Sequence, residues 1–210
     1  MYLAVIAAGL FAGFVNTLAG SGSLITLPLL MFLGLPANEA NGTNRIGVLV
    51  QSLVSSASFK KQKLYTVEEG LWMSLPAIAG ALLGSLVAVR INERIMELLI
   101  GGLLIVMFFI ILYKPEQWVR EHALSASMRR RWWMPVIFFL IGIYGGFIQA
   151  GVGFFLLGAL VLGAGMGLTK ANAHKVFIVA AMTALALVVF IISDQVFWLY
   201  GVVLAAGQGV

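Results

Sequence analysis

The chain has few of the residues on which soluble enzymes and metal proteins depend. It contains no cysteine and only two histidines among 210 residues, which argues against disulfides, thiolate catalysis and a metal centre. Charged residues make up 10% of the chain and hydrophobic residues 61%, and the mean hydropathy is +1.04. Soluble domains carry about 25% charged residues. The composition therefore predicts an integral membrane protein that needs no cofactor.

Acidic residues are also missing from the interior of the apolar runs. None of the eight lies deep within such a run: Glu39, Glu68, Glu69, Glu93, Glu97, Glu116, Glu121 and Asp194. A cation carrier or a carboxylate proton relay ordinarily needs an acid inside the membrane. The distribution favours an anion as cargo, and it leaves only His174 or the substrate itself as a carrier for coupled protons.

Seven apolar runs are present, and they predict an all-α polytopic membrane protein with about seven spans. The first and fifth runs are too long for one straight helix across roughly 30 Å of hydrocarbon, so each must tilt, break or re-enter. The second run is short, and its helix is expected to begin around Asn41. The runs cover residues 3–33, 46–59, 71–89, 95–113, 133–162, 176–193 and 196 to the terminus.

A glycine motif interrupts both over-long runs at the same internal spacing. Gly20-Ser21-Gly22 is followed by Ala40-Asn41, and Gly151-Val152-Gly153 is followed by Ala171-Asn172. Unwound backbone is tolerated at membrane depth only where it lines a cavity, so a duplicated break indicates a transporter binding site. We expect two pseudo-symmetric repeats with Gly-broken helices, which are parallel if each has four spans and inverted if the broken runs re-enter.

The repeats are expected to occupy residues 1–113 and 133–210, with a basic linker at residues 114–132. The net charge of +5 is concentrated at the ends of apolar runs and in this linker, which is the pattern of cytoplasmic loops rather than of a nucleic-acid surface. If the runs simply alternate, the linker and the N-terminus are both cytoplasmic. The second repeat stops part-way through its third segment, so one more span is expected beyond residue 210.

Residues around the two breaks are the candidates for binding a small anion. An oxyanion needs backbone N–H groups, hydroxyls and one or two cations in a water-excluded pocket. Arg45 is the preferred cation because it adjoins a polar helix face and a guanidinium can hold two oxygens. The candidates are Asn16, Gly20, Ser21, Gly22, Ser23, Asn41, Thr43, Asn44, Arg45, Gln51, Gln149, Gly151, Gly153, Asn172, His174 and Lys175.

Structural roles compete with binding for several of these residues. Asn41 and Asn172 could serve only as helix caps. Arg45 and Lys175 could extend to lipid headgroups.

The segments 13–30, 34–37 and 40–45, with their second copies at 146–153 and 170–175, resemble the sulfite exporter (TauE/SafE-type) membrane permease family. The resemblance covers essentially the whole chain. It implies a multi-pass protein of the bacterial inner membrane that transports a small sulfur-containing anion, such as sulfite or an organosulfonate like sulfoacetate. We expect alternating access as the mechanism. The coupling ion, the direction of transport and homo-oligomer formation remain open.

Two alternatives come from other classes of protein. One is a channel or an assembly factor for a membrane complex. The other is an intramembrane hydrolase with a Ser21–His174 dyad. The second repeat places Val152 where Ser21 stands, and the first places Thr43 where His174 stands. Neither residue of the dyad has an equivalent in the other repeat, and we expect a protein that is not an enzyme.

Overall fold

The computed structural model describes residues 2–113 and 132–209, and within these ranges the chain is helical without β-strands. This confirms the all-α prediction. The linker prediction falls on residues 114–131, which lie outside the described residues. The helices are α1 (Tyr2–Ala19), α2 (Ser23–Phe32), α3 (Ala37–Lys61), α4 (Val67–Ala88), α5 (Glu93–Tyr113), α6 (Met134–Phe147), α7 (Val152–Gly158), α8 (Leu168–Ile192) and α9 (Trp198–Gln208), and a π-helical turn at Ala159–Gly163 extends α7.

Two of the described helices, α4 and α8, are long and apolar enough to cross a membrane. Helix α3 has 25 residues and could also span the bilayer by length, but it is much more polar. It begins at Ala37, four residues before the expected start at Asn41. Pro36 precedes it in an extended conformation and accepts the first helical hydrogen bond, from Ala40 N–H. The proline therefore fixes the start of α3.

Both over-long runs break at their glycine motif, as predicted. Gly20 and Gly151 have φ angles of +76° and +74°, a left-handed conformation that glycine adopts without steric cost. The first break also turns the chain back. A Cβ atom at Gly22 would lie 2.2 Å from the carbonyl oxygen of Ala12, so α2 starts beside the body of α1 and not beyond its end.

Helix directions follow from the contacts of α3. Along α3 and α9 the contacts advance together, from Gly42 against Gln195 to Gly47 against Leu204, so these helices are parallel. Along α3 and α8 the order is opposite. Arg45 lies on Phe190 near the end of α8, whereas Gln51 shares a cavity with Lys175 near its start. Helices α3 and α8 are therefore antiparallel.

Two further helix pairs pack with the same register of small residues. In α4 and α6, Gly142 lies against Ala77, and Gly146 lies against Ala81. In α1 and α9, Gly9 lies against Leu204, and Gly13 lies against Gln208. Both pairs are parallel. At each of these four glycines, a backbone carbonyl oxygen of the partner helix lies within 3.0 Å of the position that a Cβ atom would take. Small residues let helix backbones approach this closely in membrane proteins. These interfaces join residues of the first half to residues of the second.

The loops gather at two ends of the bundle. Asn38 and Gln195 donate hydrogen bonds to the carbonyls of Ile91 and Val89, which places the α2–α3, α4–α5 and α8–α9 loops together. At the other end, Glu69 approaches Lys170 at the start of α8. Helix α1 starts at the first end, because it runs parallel to α9 and hence to α3. Helix α5 ends at the second.

Helix α1 therefore begins at one end of the bundle, whereas α5 ends and α6 begins at the other, which we name the linker end. The expectation that the N-terminus and the linker are both cytoplasmic does not fit this arrangement of the flanking helices. It assumed that each apolar run crosses the membrane once, whereas α2 returns the chain to its starting end before α3 begins.

Candidate functional site

A small cavity with both polar and apolar lining residues lies where the two glycine breaks meet. Its volume of about 10 Å³ is enough for roughly one water molecule. Residues of α1, α3 and α8 and of both breaks contribute to its walls. It is lined by Asn16, Gly20, Ser23, Val48, Gln51, Ser52, Gln149, Val152, Gly153, Lys175, Val176 and Val179.

The two breaks touch each other through their backbones. The N–H of Gly153 donates to the carbonyl oxygen of Gly20 over 3.2 Å. A Cβ atom on Gly20 would lie 2.3 Å from the Cα atom of Gly153, a distance that no side chain could tolerate. Glycine is required here by close approach, and at Gly20 by its positive φ as well. The crossing forms one wall of the cavity.

Lys175 supplies the positive charge of the cavity. Its side chain reaches α1, where Nζ donates to the carbonyl oxygens of Asn16 over 3.1 Å and Thr17 over 2.9 Å. The residue is 1% exposed. Both ion pairs among the described residues involve Glu69, with Lys170 or His174 as partner, so no described acid pairs with Lys175. The ammonium group thus neutralises the negative last turn of α1 and lacks an acidic counter-ion.

Arg45 makes the corresponding contact with the other half but lies outside the cavity lining. Its guanidinium donates to the carbonyl oxygens of Gly145 over 3.2 Å and Gly146 over 2.7 Å, in the last turn of α6. It also stacks 4.5 Å over the ring of Phe190. The preferred cation of the sequence analysis is therefore held by backbone carbonyls, and Lys175 takes the place beside the cavity.

Amide side chains join α1 to α3 along the polar face of α3. Asn16 Nδ2 donates to Gln51 Oε1 over 2.6 Å. Gln51 Nε2 in turn donates to Thr17 Oγ1 over 2.7 Å and to Ser55 Oγ over 3.1 Å. Asn16 and Gln51 line the cavity, and their donors and acceptors are largely used within this network.

Gln149 is the counterpart of this amide pair in the second half. Its Nε2 atom donates to Thr183 Oγ1, while its Oε1 atom is buried without a hydrogen-bond partner. An unpaired buried acceptor is costly, so this amide is the lining group most in need of a ligand or a water molecule.

Four candidate residues at the start of α3 mainly hold other segments in place. Asn44 donates to Ser23 Oγ over 2.9 Å, and Asn41 donates to the carbonyl oxygen of Phe147 over 2.8 Å. The backbone N–H of Phe197 donates to Thr43 Oγ1 over 2.8 Å. Ser23 lines the cavity, but Asn41, Thr43, Asn44 and Arg45 do not.

His174 belongs to a cluster with Glu69 and Lys170 at the linker end of the bundle. Its Nδ1 atom lies 2.9 Å from the carbonyl oxygen of Lys170, and Nε2 lies 3.6 Å from Glu69 Oε2. The described structure shows no hydrogen bond between Ser21 and either ring nitrogen of His174.

The remaining candidates lie around the breaks or at the start of α8. Gly22 begins α2, and Ser21 is buried in the turn before it. Gly151 packs near the side chain of Met107, and Asn172 has a buried Oδ1 atom without a partner. None of these four lines the cavity.

Sequence patterns did not indicate the four valines that also line the cavity, Val48, Val152, Val176 and Val179. Val179 is four positions beyond Lys175, so these two residues lie on the same face of α8. Helical spacing from the candidate cation could have identified Val179, but isolated valines in an apolar run carry no signal of their own.

Comparison with known proteins places this chain among membrane transporters. The model of the family described as "Sulfite exporter TauE/SafE" matches residues 5–210. A probable membrane transporter protein, ORF9, of Sinorhizobium sp is 32% identical over 208 residues, which cover 96% of this chain and 76% of that protein.

Two further relatives have the same printed description. A probable membrane transporter protein of Haemophilus influenzae is 26% identical, over 95% of this chain and 78% of its own length. The probable membrane transporter protein YfcA of Escherichia coli K12 is 28% identical, over 95% and 73%. No solved structure matches the chain. These names indicate a transporter rather than an enzyme. With a family model that matches nearly its whole length, the chain belongs to the sulfite exporter TauE/SafE family of membrane transporters.

Proposed function

We propose that the protein is a secondary transporter that moves a small sulfur-containing anion, such as sulfite or an organosulfonate, across the bacterial inner membrane. The observation that carries the proposal is Lys175, a buried cation that lines the central cavity and has no acid within ion-pair distance among the described residues. A charged side chain in the membrane interior is costly and marks an ion or substrate pathway. An anion in the cavity would supply the missing counter-charge.

The helix breaks add to the electrostatic case for an anion. Helix α2 begins beside the cavity at Ser23, and a helix N-terminus carries partial positive charge. The negative C-terminal turns of α1 and α6 are neutralised by Lys175 and Arg45. The C-terminal turns that would repel an anion are thus neutralised, and the N-terminus of α2, which would attract it, lies beside the cavity.

Inverted repeats and alternating access are part of the proposal. Helices α3 and α8 follow the two glycine motifs and run antiparallel, and the equivalent pairs α4–α6 and α1–α9 share one packing register. Inverted repeats of this kind support a rocking motion around a site at their interface. The cavity has room for about one water molecule, so binding of a substrate requires the two glycine breaks to separate at Gly20 and Gly153.

The orientation is proposed from charge. Lys60, Lys61 and Lys63 lie where α3 ends, at the linker end of the bundle, and cationic residues accumulate on the cytoplasmic side of inner-membrane proteins. The linker end then faces the cytoplasm, and the N-terminus faces the opposite side.

Flux through proteoliposomes tests this function. Purified protein is reconstituted, and the flux of sulfite, thiosulfate, sulfoacetate and sulfate is measured. A monovalent cation serves as the negative-control substrate. We expect saturable flux of at least one sulfur anion, which Lys175→Gln strongly reduces and Lys170→Gln, at the exposed end of α8, retains. Cation flux alone, or equal loss in both variants, would contradict the proposal.

A further inference from the structure

We propose that Lys175 couples the anion to a proton: its side-chain nitrogen takes up one proton when an anion enters the cavity and releases it when the anion leaves. This inference rests on the proposed function and adds the coupling ion to it. The juxtaposition that carries it is an amine that lines the cavity, is buried without an acidic partner, and is held by two backbone carbonyls.

The hydrogen bonds of Lys175 suit both protonation states. Nζ donates to the carbonyl oxygens of Asn16 over 3.1 Å and Thr17 over 2.9 Å, and these are the hydrogen bonds that it makes with the described part of the chain. An ammonium group has three N–H donors. The neutral amine has two N–H donors and one lone pair, so both hydrogen bonds persist when a proton leaves. Only the third position on the nitrogen changes, from a donor to a lone pair, and the side chain can stay in place while a proton comes and goes.

The charge balance of the cavity makes the protonated state depend on the anion. Lys175 is 1% exposed, and both ion pairs among the described residues involve Glu69 instead. The last turn of α1 offsets only roughly half an elementary charge. An uncompensated charge in the interior is costly, so the empty cavity favours the neutral amine and a bound anion favours the ammonium. Anion and proton therefore strengthen each other's binding by the same factor.

His174, the proton carrier expected from the sequence, is engaged away from the cavity. Its Nδ1 atom lies against the carbonyl oxygen of Lys170, and its Nε2 atom points toward Glu69 of α4. It follows Lys170 by one helical turn and does not line the cavity. An anion in the cavity therefore contacts Lys175 and not the imidazole.

The titratable and charged groups of the other helices around α8 also leave Lys175 alone at the cavity. Arg45 of α3 binds carbonyl oxygens of α6, and the hydroxyl group of Tyr144 of α6 donates to the carbonyl oxygen of Ala150. Helices α1 and α7 contribute no charged residue. Within the part of the chain that the structure describes, Lys175 is the one ionisable residue in the lining. The remaining charged residues of α3 and α4 stand near helix ends, at Glu39, Lys60, Lys61 and Glu68.

The transport cycle balances one proton against each anion. On the side where the anion enters, the lone pair of Nζ forms an N–H bond with a proton delivered through water, and the cavity has room for about one water molecule. On the other side the anion leaves, the N–H bond breaks, and the proton returns to water. Anion and proton cross in the same direction, so a monoanion moves without net charge.

Proton uptake on binding tests the coupling with the wild-type chain in detergent. Thiosulfate, sulfoacetate and sulfate keep a fixed charge around neutral pH, whereas sulfite takes up a proton there itself. In a weakly buffered solution with a pH indicator, we expect uptake of about one proton per anion bound at mildly alkaline pH, and an apparent affinity that falls up to about tenfold for each further unit of pH. Binding without proton uptake, at the same affinity at every pH, would overturn the inference while the anion-transport proposal stands. If no sulfur anion binds or is transported, the proposed function itself fails.

Lys175→Arg separates the proton from the charge. A guanidinium group is not deprotonated in proteins, so this variant keeps the positive charge and cannot release a proton. We expect it to bind the anion without proton uptake and without the pH dependence of wild type. In proteoliposomes that contain a pH-sensitive dye, anion flux should carry protons in wild type and none in Lys175→Arg. For sulfite, the same comparison subtracts the proton that the ligand itself takes up.

His174→Gln is the matched comparison, and it is expected to keep the proton uptake of wild type. Loss of uptake in His174→Gln but not in Lys175→Arg would transfer the coupling to His174 and overturn the inference. The elution volume and the unfolding temperature without ligand show whether each variant folds. If Lys175→Arg does not fold, the proton uptake and pH dependence of wild type decide.

Discussion

Arg45 and Lys175 occupy nearly equivalent places in the two halves and do different things. Each lies on the helix that follows a glycine break, and each binds last-turn carbonyls of the first helix in the other half. Aligned on the glycine and Ala-Asn motifs, however, Lys175 corresponds to Asn44, and Arg45 to Val176. A shift of one residue turns a side chain by about 100° around a helix. The comparison shows how a symmetric scaffold can hold an asymmetric binding site.

The largest effect is expected where the two halves touch. Gly20→Ala places a Cβ atom 2.3 Å from Gly153 Cα, at a residue with φ +76°. The strained backbone alone costs about 1–3 kcal/mol, and the clash with backbone cannot be relieved by a rotamer change. We expect loss of folded protein or of transport, measured by size-exclusion chromatography and proteoliposome flux.

Gly101→Ala is the control for this prediction, because a Cβ atom there has no neighbour within 4 Å and the residue lies within α5. Wild-type yield and flux in Gly20→Ala would show that the crossing is not a tight contact.

The next effect separates the stability role of Arg45 from binding. Arg45→Gln leaves carbonyls of Gly145 and Gly146 without their charged donor in a buried setting. We expect the free energy of unfolding to fall by about 1–3 kcal/mol, the cost of unsatisfied buried groups. Ligand affinity of the remaining folded protein should stay within about threefold of wild type. A large loss of affinity without loss of stability would return Arg45 to the site.

Lys175 is expected to affect binding as well as stability. Lys175→Gln leaves the carbonyls of Asn16 and Thr17 without their charged donor, and it should in addition weaken anion binding by about 1.5–3 kcal/mol, the scale of a charge-assisted hydrogen bond. Binding is measured by ligand-dependent thermal shift, and Lys175→Arg tests whether charge alone suffices. If Lys175→Gln loses stability but keeps affinity, the two cations have the same role and the comparison fails.

The smallest effect is expected at the linker end of the bundle. Glu69 pairs with Lys170 over 3.8 Å, and both side chains are partly exposed. Exposed ion pairs contribute about 0–1 kcal/mol, so Glu69→Gln should change the unfolding temperature and the flux very little. A clear change in the pH dependence of flux would instead show that Glu69 acts through His174.

Sequence patterns predicted much of the local structure correctly. The glycine motifs located both breaks, because few residues other than glycine adopt the left-handed conformation of Gly20 and Gly151. The polar residues Asn16, Gln51 and Gln149 were named as candidates, and they line the cavity. Polar groups inside a membrane are expensive, so their presence in apolar runs is informative by itself.

The preferred cation and the side of the N-terminus were harder to predict. Arg45 satisfies every local criterion for an anion ligand, and only the position of α6 shows that its donors are used by backbone carbonyls. Likewise, an apolar run of about 30 residues is compatible with a tilted span or a hairpin. The contact between Gly22 and Ala12 distinguishes them.

The sequence by itself determined that this chain is a helical membrane protein with two glycine breaks and a set of polar residues near them. These properties depend on solvent preference and local backbone freedom, which each segment carries on its own. The tertiary structure decided that α3 and α8 run antiparallel and that Lys175, with four valines, faces the cavity. Those outcomes depend on the relative rotation and direction of helices more than a hundred residues apart, which packing fixes and periodicity does not.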